Sequence, residues 1–337
     1  MTFEEVRIAA KACTGELCKV CPVCNGRACR NVIPGPGAMG DIAVRNYDAW
    51  QAVHTNMDTI CAGGEPELSL DLFGQHFAYP FFAGPVGAVQ MHYGPAYNDE
   101  SYNDVLVAGC REAGICAFTG DGFIPETMIS ACRSIRASDG IGIPTIKPWD
   151  MVTVGEKLAL THESGAFAVA MDIDAAGLPF LRGKTPPAGS KTPEELAEIV
   201  KAAGVPFIVK GIMTVRGAEK ARDAGAAGIV VSNHGGRVLA GTPATAEVLP
   251  EIADALRGSG VTILVDGGIR SGTDIFRALA LGADATVLAR PFVTAVYGGG
   301  REGIKALCQK LSDELAATMR MCGAHTLAEI TRDMVRV

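Results

Sequence analysis

Val231-Ser232-Asn233-His234-Gly235-Gly236-Arg237, Val265-Asp266-Gly267-Gly268-Ile269-Arg270 and Thr286-Val287-Leu288-Ala289-Arg290-Pro291 share one design. In each, an apolar, β-branched run gives way to a polar loop that delivers a cation, an acid or a free backbone N–H where the strand ends. Loops of this kind after the closing strands are how an α/β barrel builds a phosphate and cofactor site.

Working outward, short apolar runs alternate with amphipathic segments bounded by Gly, Pro or Asp from about residue 78 onward. The runs are Pro80 to Pro85, Ile115 to Gly120, Ile143 to Lys147, Phe167 to Asp172, Pro206 to Lys210, Gly228 to Ser232, Thr262 to Asp266 and Ala285 to Ala289. Between them lie helical stretches such as Glu194 to Ala203, Arg216 to Ala224, Ala246 to Leu256 and Gly272 to Leu281, each long enough for a right-handed crossover. Eight strands with their crossovers predict an α/β fold, a TIM (β/α)8 barrel over residues 46–337 behind a cysteine-rich N-terminal extension, residues 1–45. The competitor is an open doubly wound sheet, which would place its Gly-rich phosphate turn after the first strand. Ala83-Gly84-Pro85-Val86-Gly87 is a poor match to that turn, and the phosphate-type loops come last.

The composition agrees. A chain of 337 residues, 48% hydrophobic and 20% charged, fits one barrel of about 250 residues with extensions. A net charge of -7, a pI near 5.5 and no run of Lys or Arg argue against a nucleic-acid or acidic-lipid partner and for a small ligand. Met1 to Thr14 has no apolar core segment, so neither a signal peptide nor a membrane anchor is expected and the cytoplasm is the expected compartment.

The strand ends carry the chemistry. Lys210 follows Phe207-Ile208-Val209 and precedes Gly211, which aims its ammonium into the mouth of the barrel and implies an anionic ligand; a neighbouring barrel Asp is the alternative partner. His234, with an ordinary pKa near neutrality, is the natural general base. Asp172 ends an apolar run and can reach across to stabilise the imidazolium of His234, unless it only caps the following turn. Gly235 and Gly236 are read as clearance for a planar ligand. Asp266 beside Gly267 and Gly268 suits a ribityl hydroxyl, and Arg270 and Arg290 favour a phosphate.

Ile208-Val209-Lys210-Gly211, Ser232 to Arg237, Gly241-Thr242-Pro243-Ala244-Thr245, Asp266 to Arg270 and Arg290-Pro291 together resemble the FMN-dependent 2-hydroxy acid oxidases and dehydrogenases, the family of glycolate oxidase, lactate oxidase and flavocytochrome b2. The likeness runs from Val205 to about Ile330. More weakly, it reaches Arg45-Asn46, Ala83-Gly84-Pro85 and Asp172 to Gly177. It implies FMN as cofactor, a homo-oligomer, and oxidation of a small anionic 2-hydroxy acid to the 2-oxo acid. It further implies that His234 takes the hydroxyl proton as hydride passes to flavin N5, that Asp172 holds His234, that Lys210 lies against the flavin N1 edge and that Arg237 clamps the substrate carboxylate. Ala83, Gly84, Pro85, Thr119, Ser232, Asp266, Gly268, Arg270, Ala289 and Arg290 would bind the cofactor. The electron acceptor is not encoded in these motifs.

Three departures fall on substrate recognition, the first being that the family's amino-terminal tyrosine for the substrate carboxylate has no counterpart in the cysteine-rich segment. The family's fourth strand continues T-V-D-T-P-x-x-G-x-R, whereas this chain reads Ala170-Met171-Asp172-Ile173-Asp174-Ala175-Ala176-Gly177-Leu178-Pro179, leaving Arg182 as the candidate for the missing arginine. The family's third strand ends in a tyrosine where this chain has Lys147. That lysine either serves a more anionic substrate or neutralises Asp121, Asp150 or Asp174.

Five of the 11 cysteines crowd the first thirty residues. Cys18, Cys21, Cys24 and Cys29 have C-x2-C-x2-C-x4-C spacing, which suits zinc or an iron-sulfur cluster; reduced thiols packing the extension are the alternative. Cys61, Cys110, Cys116, Cys132, Cys308 and Cys322 read as core. Two other functions fit the same residues, an FMN-dependent isomerase and a flavin- or metal-binding regulator without turnover.

Overall fold

The computed structural model describes residues 1–15, 20–23, 39–178 and 181–337. Eight parallel strands form the expected TIM barrel: β1 (Phe81–Ala83), β2 (Phe118–Thr119), β3 (Ile143–Ile146), β4 (Val169–Asp172), β5 (Phe207–Ile212), β6 (Gly228–Val231), β7 (Thr262–Asp266) and β8 (Ala285–Leu288). Each pairs with its neighbour in chain order from β2 to β8. Then β8 pairs with β1, and an Ala83–Ala117 bridge closes the ring. Val169–Asp172, Gly228–Val231 and Ala285–Leu288 are buried along their whole length, because the barrel covers one strand face and the crossover helices the other. The expected helices appear at Pro193–Ala203, Val215–Asp223, Thr245–Leu256 and Gly272–Ala280. The strand expected to end at Lys210 runs on to Ile212, because a register shift at Gly211 lets the ladder continue past a bulge.

Two helices outside the barrel position its mouth. Phe3–Thr14 opens with a Thr2/Glu5 capping box and buries Val6, Ala10 and Thr14, spaced four apart on one face. It packs against Arg290–Cys322 so closely that a Cβ on Gly298 would lie 1.9 Å from the Val6 carbonyl oxygen. Met39–Ala52 lies over the loops after β6 and β7. Asn46 and Asn233 exchange side-chain amide hydrogen bonds of 2.8 Å, and Trp50 Nε1 donates to the Gly267 carbonyl at 2.7 Å.

This placement revises the reading of the Gly267-Gly268 pair. A Cβ on Gly268 would sit 2.3 Å from the Asn46 carbonyl oxygen, and both glycines have positive φ, so they admit Met39–Ala52 as much as any ligand. Gly268→Ala is expected to lower stability by roughly 1–3 kcal/mol through overpacking and strain, and to loosen the loop carrying Asp266 and Arg270. Thermal unfolding and cofactor retention check this.

Among the described residues Cys110, Cys116, Cys132, Cys308 and Cys322 are buried, as expected, whereas Cys61 is exposed on the loop that crosses Gly323. Burial pushes the Cys132 and Cys308 thiols up to about 12. No described helix is long and apolar enough to cross a membrane.

Candidate active site

All eight strands end on one cavity that opens to solvent at the C-terminal face of the barrel. Its wall takes Pro85 from the loop after β1, Asp121 from the loop after β2, Lys147 after β3, Asp172 and Lys210 from β4 and β5, and His234 and Arg237 after β6. Asp266, Gly268, Arg270, Ala289 and Arg290 complete it. The expected set is therefore largely brought together. Ala83, Gly84, Thr119 and Ser232 are buried just behind the wall: Ser232 Oγ accepts from Lys210 Nζ at 3.0 Å and from the His234 amide at 3.1 Å. Arg182, the candidate for the missing arginine, is exposed and is not among the described lining residues.

His234 sits at φ 55°, followed by Gly235 at 62° and Gly236 at 81°. The left-handed region costs a histidine on the order of 1–3 kcal/mol and occurs where function holds a side chain in place. The two glycines make that tight turn possible, which accounts for them better than clearance for a planar ligand does. Arg237 Nη1 donates back to the His234 carbonyl at 3.1 Å.

The acid expected on the imidazole is corrected by the geometry. His234 Nδ1 lies 3.1 Å from Asp174 Oδ1, while Asp172 is committed to lysines: Lys147 Nζ donates to Asp172 Oδ2 at 2.5 Å, and Lys210 Nζ lies 3.4 Å from both Asp172 Oδ1 and Asp266 Oδ2. Lys147 thus pairs with Asp172, none of the three acids anticipated for it, while still lining the cavity. Ligating atoms of Asp172, Asp174 and His234 lie within 4.8 Å of one another, but the two ammoniums on Asp172 oppose a cation there.

Burial pushes the Asp172 carboxyl up, and Lys147 and Lys210 together outweigh it, holding the group well below its ordinary 3.8. Burial pulls Lys210 down, and Asp266, Asp172 and Asp174 together raise it well above 10.5. A depressed acid contributes stability that is present above its ordinary value and lost only as pH falls through the folded one. A raised base contributes stability that is present below its ordinary value and lost as pH rises through the folded one. The Asp172–Lys210 pair should therefore add no pH dependence to the wild-type unfolding free energy between about pH 5 and 9. Melting curves across that range check it.

Sequence reasoning missed the carboxylate network behind this wall. Asp121 is buried and accepts from the Lys147 amide (3.1 Å), Trp149 Nε1 (2.6 Å), Lys157 Nζ (2.8 Å) and the Gly122 amide (2.8 Å). The signal available was an acid between two glycines, Gly120 and Gly122, directly after a strand.

At the other end of the cavity the residues fit a phosphate-tailed, hydroxylated cofactor. The helix Arg290–Cys322 starts on the cavity wall, and Arg270 and Arg290 flank that start. Asp266 Oδ1 is buried without a hydrogen-bond partner among the described residues, which leaves an acceptor for a ligand hydroxyl. Of the four cysteines read as metal ligands, Cys21 is partly buried, and Cys18, Cys24 and Cys29 lie outside the described residues.

The comparisons with known proteins bear on the same barrel. An L-lactate oxidase from Roseobacter sp. (strain GAI101) is 44% identical over 144 residues, 43% of this chain and 39% of that protein. The peroxisomal (S)-2-hydroxyacid oxidase GLO3 of Arabidopsis thaliana is 46% identical over 132 residues, 39% of this chain and 36% of that protein. These alignments span well under half of the relatives' own length. A mandelate oxidase structure superposes with a TM-score of 0.81 at 25% identity, covering 99% of this chain and 97% of the other. The family model of the FMN-dependent dehydrogenases matches residues 150–337, more than half of the chain and five of the eight strand-end loops, and the chain belongs to that family.

Proposed function

We propose that this chain is an FMN-dependent oxidoreductase that converts a small 2-hydroxy acid into the corresponding 2-oxo acid. The observation that carries the reading is His234, whose Nδ1 is taken by a carboxylate and whose ring lies on the same cavity as Lys210, Arg237, Arg270 and Arg290. Membership of the FMN-dependent dehydrogenase family supports FMN, for which Asp266, Arg270, Ala289 and Arg290 are the tail-binding residues. When bound, FMN supplies a hydride acceptor beside the substrate α-carbon.

The residues of this chain supply the rest. With Nδ1–H donating to a carboxylate, His234 Nε2 is the nitrogen left to accept the substrate hydroxyl proton. Arg237 offers its guanidinium to the substrate carboxylate. Lys210, kept protonated by three acids, fixes a positive charge at the cofactor end. A non-redox isomerase or a binding protein without turnover has no comparable use for an imidazole held on a carboxylate beside that charge.

Anaerobic mixing of the flavin-loaded protein with a panel of 2-hydroxy acids, followed by absorbance, tests the reading. Bleaching of the flavin band by at least one of them is expected, and no bleaching by any would overturn it. The thiols left unpaired in Cys110, Cys116, Cys132, Cys308 and Cys322 support a reducing, cytoplasmic setting. The spacing of Cys18, Cys21, Cys24 and Cys29 supports a zinc or iron-sulfur site, which metal analysis of the purified protein would find or exclude.

A further inference from the structure

We infer that Asp174 is the positioning residue for His234, and that Lys147 withdraws Asp172 from that task. The inference rests on His234 being the base of the proposed reaction. Two acids two residues apart, Asp172 at the end of β4 and Asp174 in the turn Ile173–Gly177, both come near the imidazole. Electrostatics divides them. Asp172 is 2% exposed and lies between the ammoniums of Lys147 and Lys210, each of which would be left as an uncompensated buried charge if it turned away. Asp174 makes one side-chain hydrogen bond among the described residues, to His234 Nδ1, with its carboxylate 11% exposed.

A second observation is independent of that hydrogen bond. Gly211 sits in the β5 bulge at φ 104°, and a Cβ there would fall 2.6 Å from both Cβ and Cγ of Asp174. The bulge and the missing side chain create the seat that the Asp174 carboxylate occupies, directly after Lys210. Without that seat the carboxylate could not lie beside the imidazole. An acid bonded to Nδ1 fixes the tautomer with hydrogen on Nδ1 and turns Nε2 to the cavity; in a hydrolase triad, losing the orienting acid costs up to about 10⁴-fold.

The test uses flavin-loaded protein labelled with nitrogen-15 histidine, six residues in all, with His234 assigned by its loss in His234→Asn. At a pH where the ring is neutral, wild type is expected to show the Nδ1–H tautomer. Asp174→Asn should shift the ring toward the Nε2–H form and slow flavin reduction by about 10²–10⁴-fold, with FMN affinity within threefold of wild type. Asp172→Asn should leave the tautomer unchanged. Gly211→Ala, which displaces the carboxylate without removing its charge, should move the tautomer and the rate in the same direction as Asp174→Asn. A tautomer kept in Asp174→Asn, or lost in Asp172→Asn alone, would overturn the inference. If no 2-hydroxy acid reduces the flavin, the proposed function fails, while the nitrogen shifts still decide which acid holds the ring.

Discussion

His234→Asn is expected to slow reduction of the bound flavin by 2-hydroxy acid by about 10²–10⁴-fold, the range a positioned general base contributes, while FMN stays bound. The two properties should separate because they occupy different parts of the cavity: His234 and Arg237 follow β6, whereas Asp266, Arg270, Ala289 and Arg290 follow β7 and β8. Asn is the right replacement because it tolerates the left-handed conformation that His234 adopts at φ 55°, so the turn through Gly235 and Gly236 survives. It also keeps a polar side chain facing Asp174. Stopped-flow absorbance gives the reduction rate, and flavin fluorescence on dilution gives the affinity. A rate within tenfold of wild type would remove His234 from the chemistry. A parallel loss of FMN would mean that the loop after β6 supports the cofactor and not the proton transfer.

The barrel was legible because each of its strands is announced by a local pattern, a short apolar run closed by Gly, Pro or a polar or charged residue. Lys210, His234, Arg270 and Arg290 could be found the same way, since a charged side chain at the C-terminal end of a barrel strand has only the mouth to point into. What stayed hidden depends on partners distant in sequence. The reason for Gly268 is Asn46, more than two hundred residues upstream, which no local pattern connects to the loop after β7. The choice between Asp172 and Asp174 turns on Lys147 from a neighbouring strand and on a bulge at Gly211, and two acids in a five-residue window look equivalent until those neighbours are in place. The family resemblance pointed to the first of the pair, because the position matched. The departure at Lys147 was visible in the sequence, and its consequence for Asp172 appears only where β3, β4 and β5 lie side by side.

Asp121→Ala should give the largest loss of stability of any single change at the mouth, roughly 3–5 kcal/mol, as expected when one partner of a buried ion pair is removed. Its carboxylate is fully buried and serves four donors: Lys157 Nζ and the Gly122 amide on Oδ1, Trp149 Nε1 and the Lys147 amide on Oδ2. Truncation leaves the Lys157 ammonium, whose side chain is 11% exposed, and the buried indole N–H without that acceptor. At roughly 2 °C per kcal/mol for a domain of this size, the melting point should drop by about 6–10 °C. Asp121→Ala combined with Lys157→Met removes both charges and should recover at least about 2 kcal/mol of the loss, since replacing both members of a buried pair is far less costly than orphaning one. A single variant that costs under about 1 kcal/mol, or a double variant no more stable than the single, would show that the network is not what ties the loop after β2 to β3 and to the helix Met151–Ser164. The same carboxylate fixes the backbone of Lys147, the residue that holds Asp172. Stability and catalysis should therefore fall together in Asp121→Ala, in contrast to His234→Asn, where only the chemistry is expected to suffer.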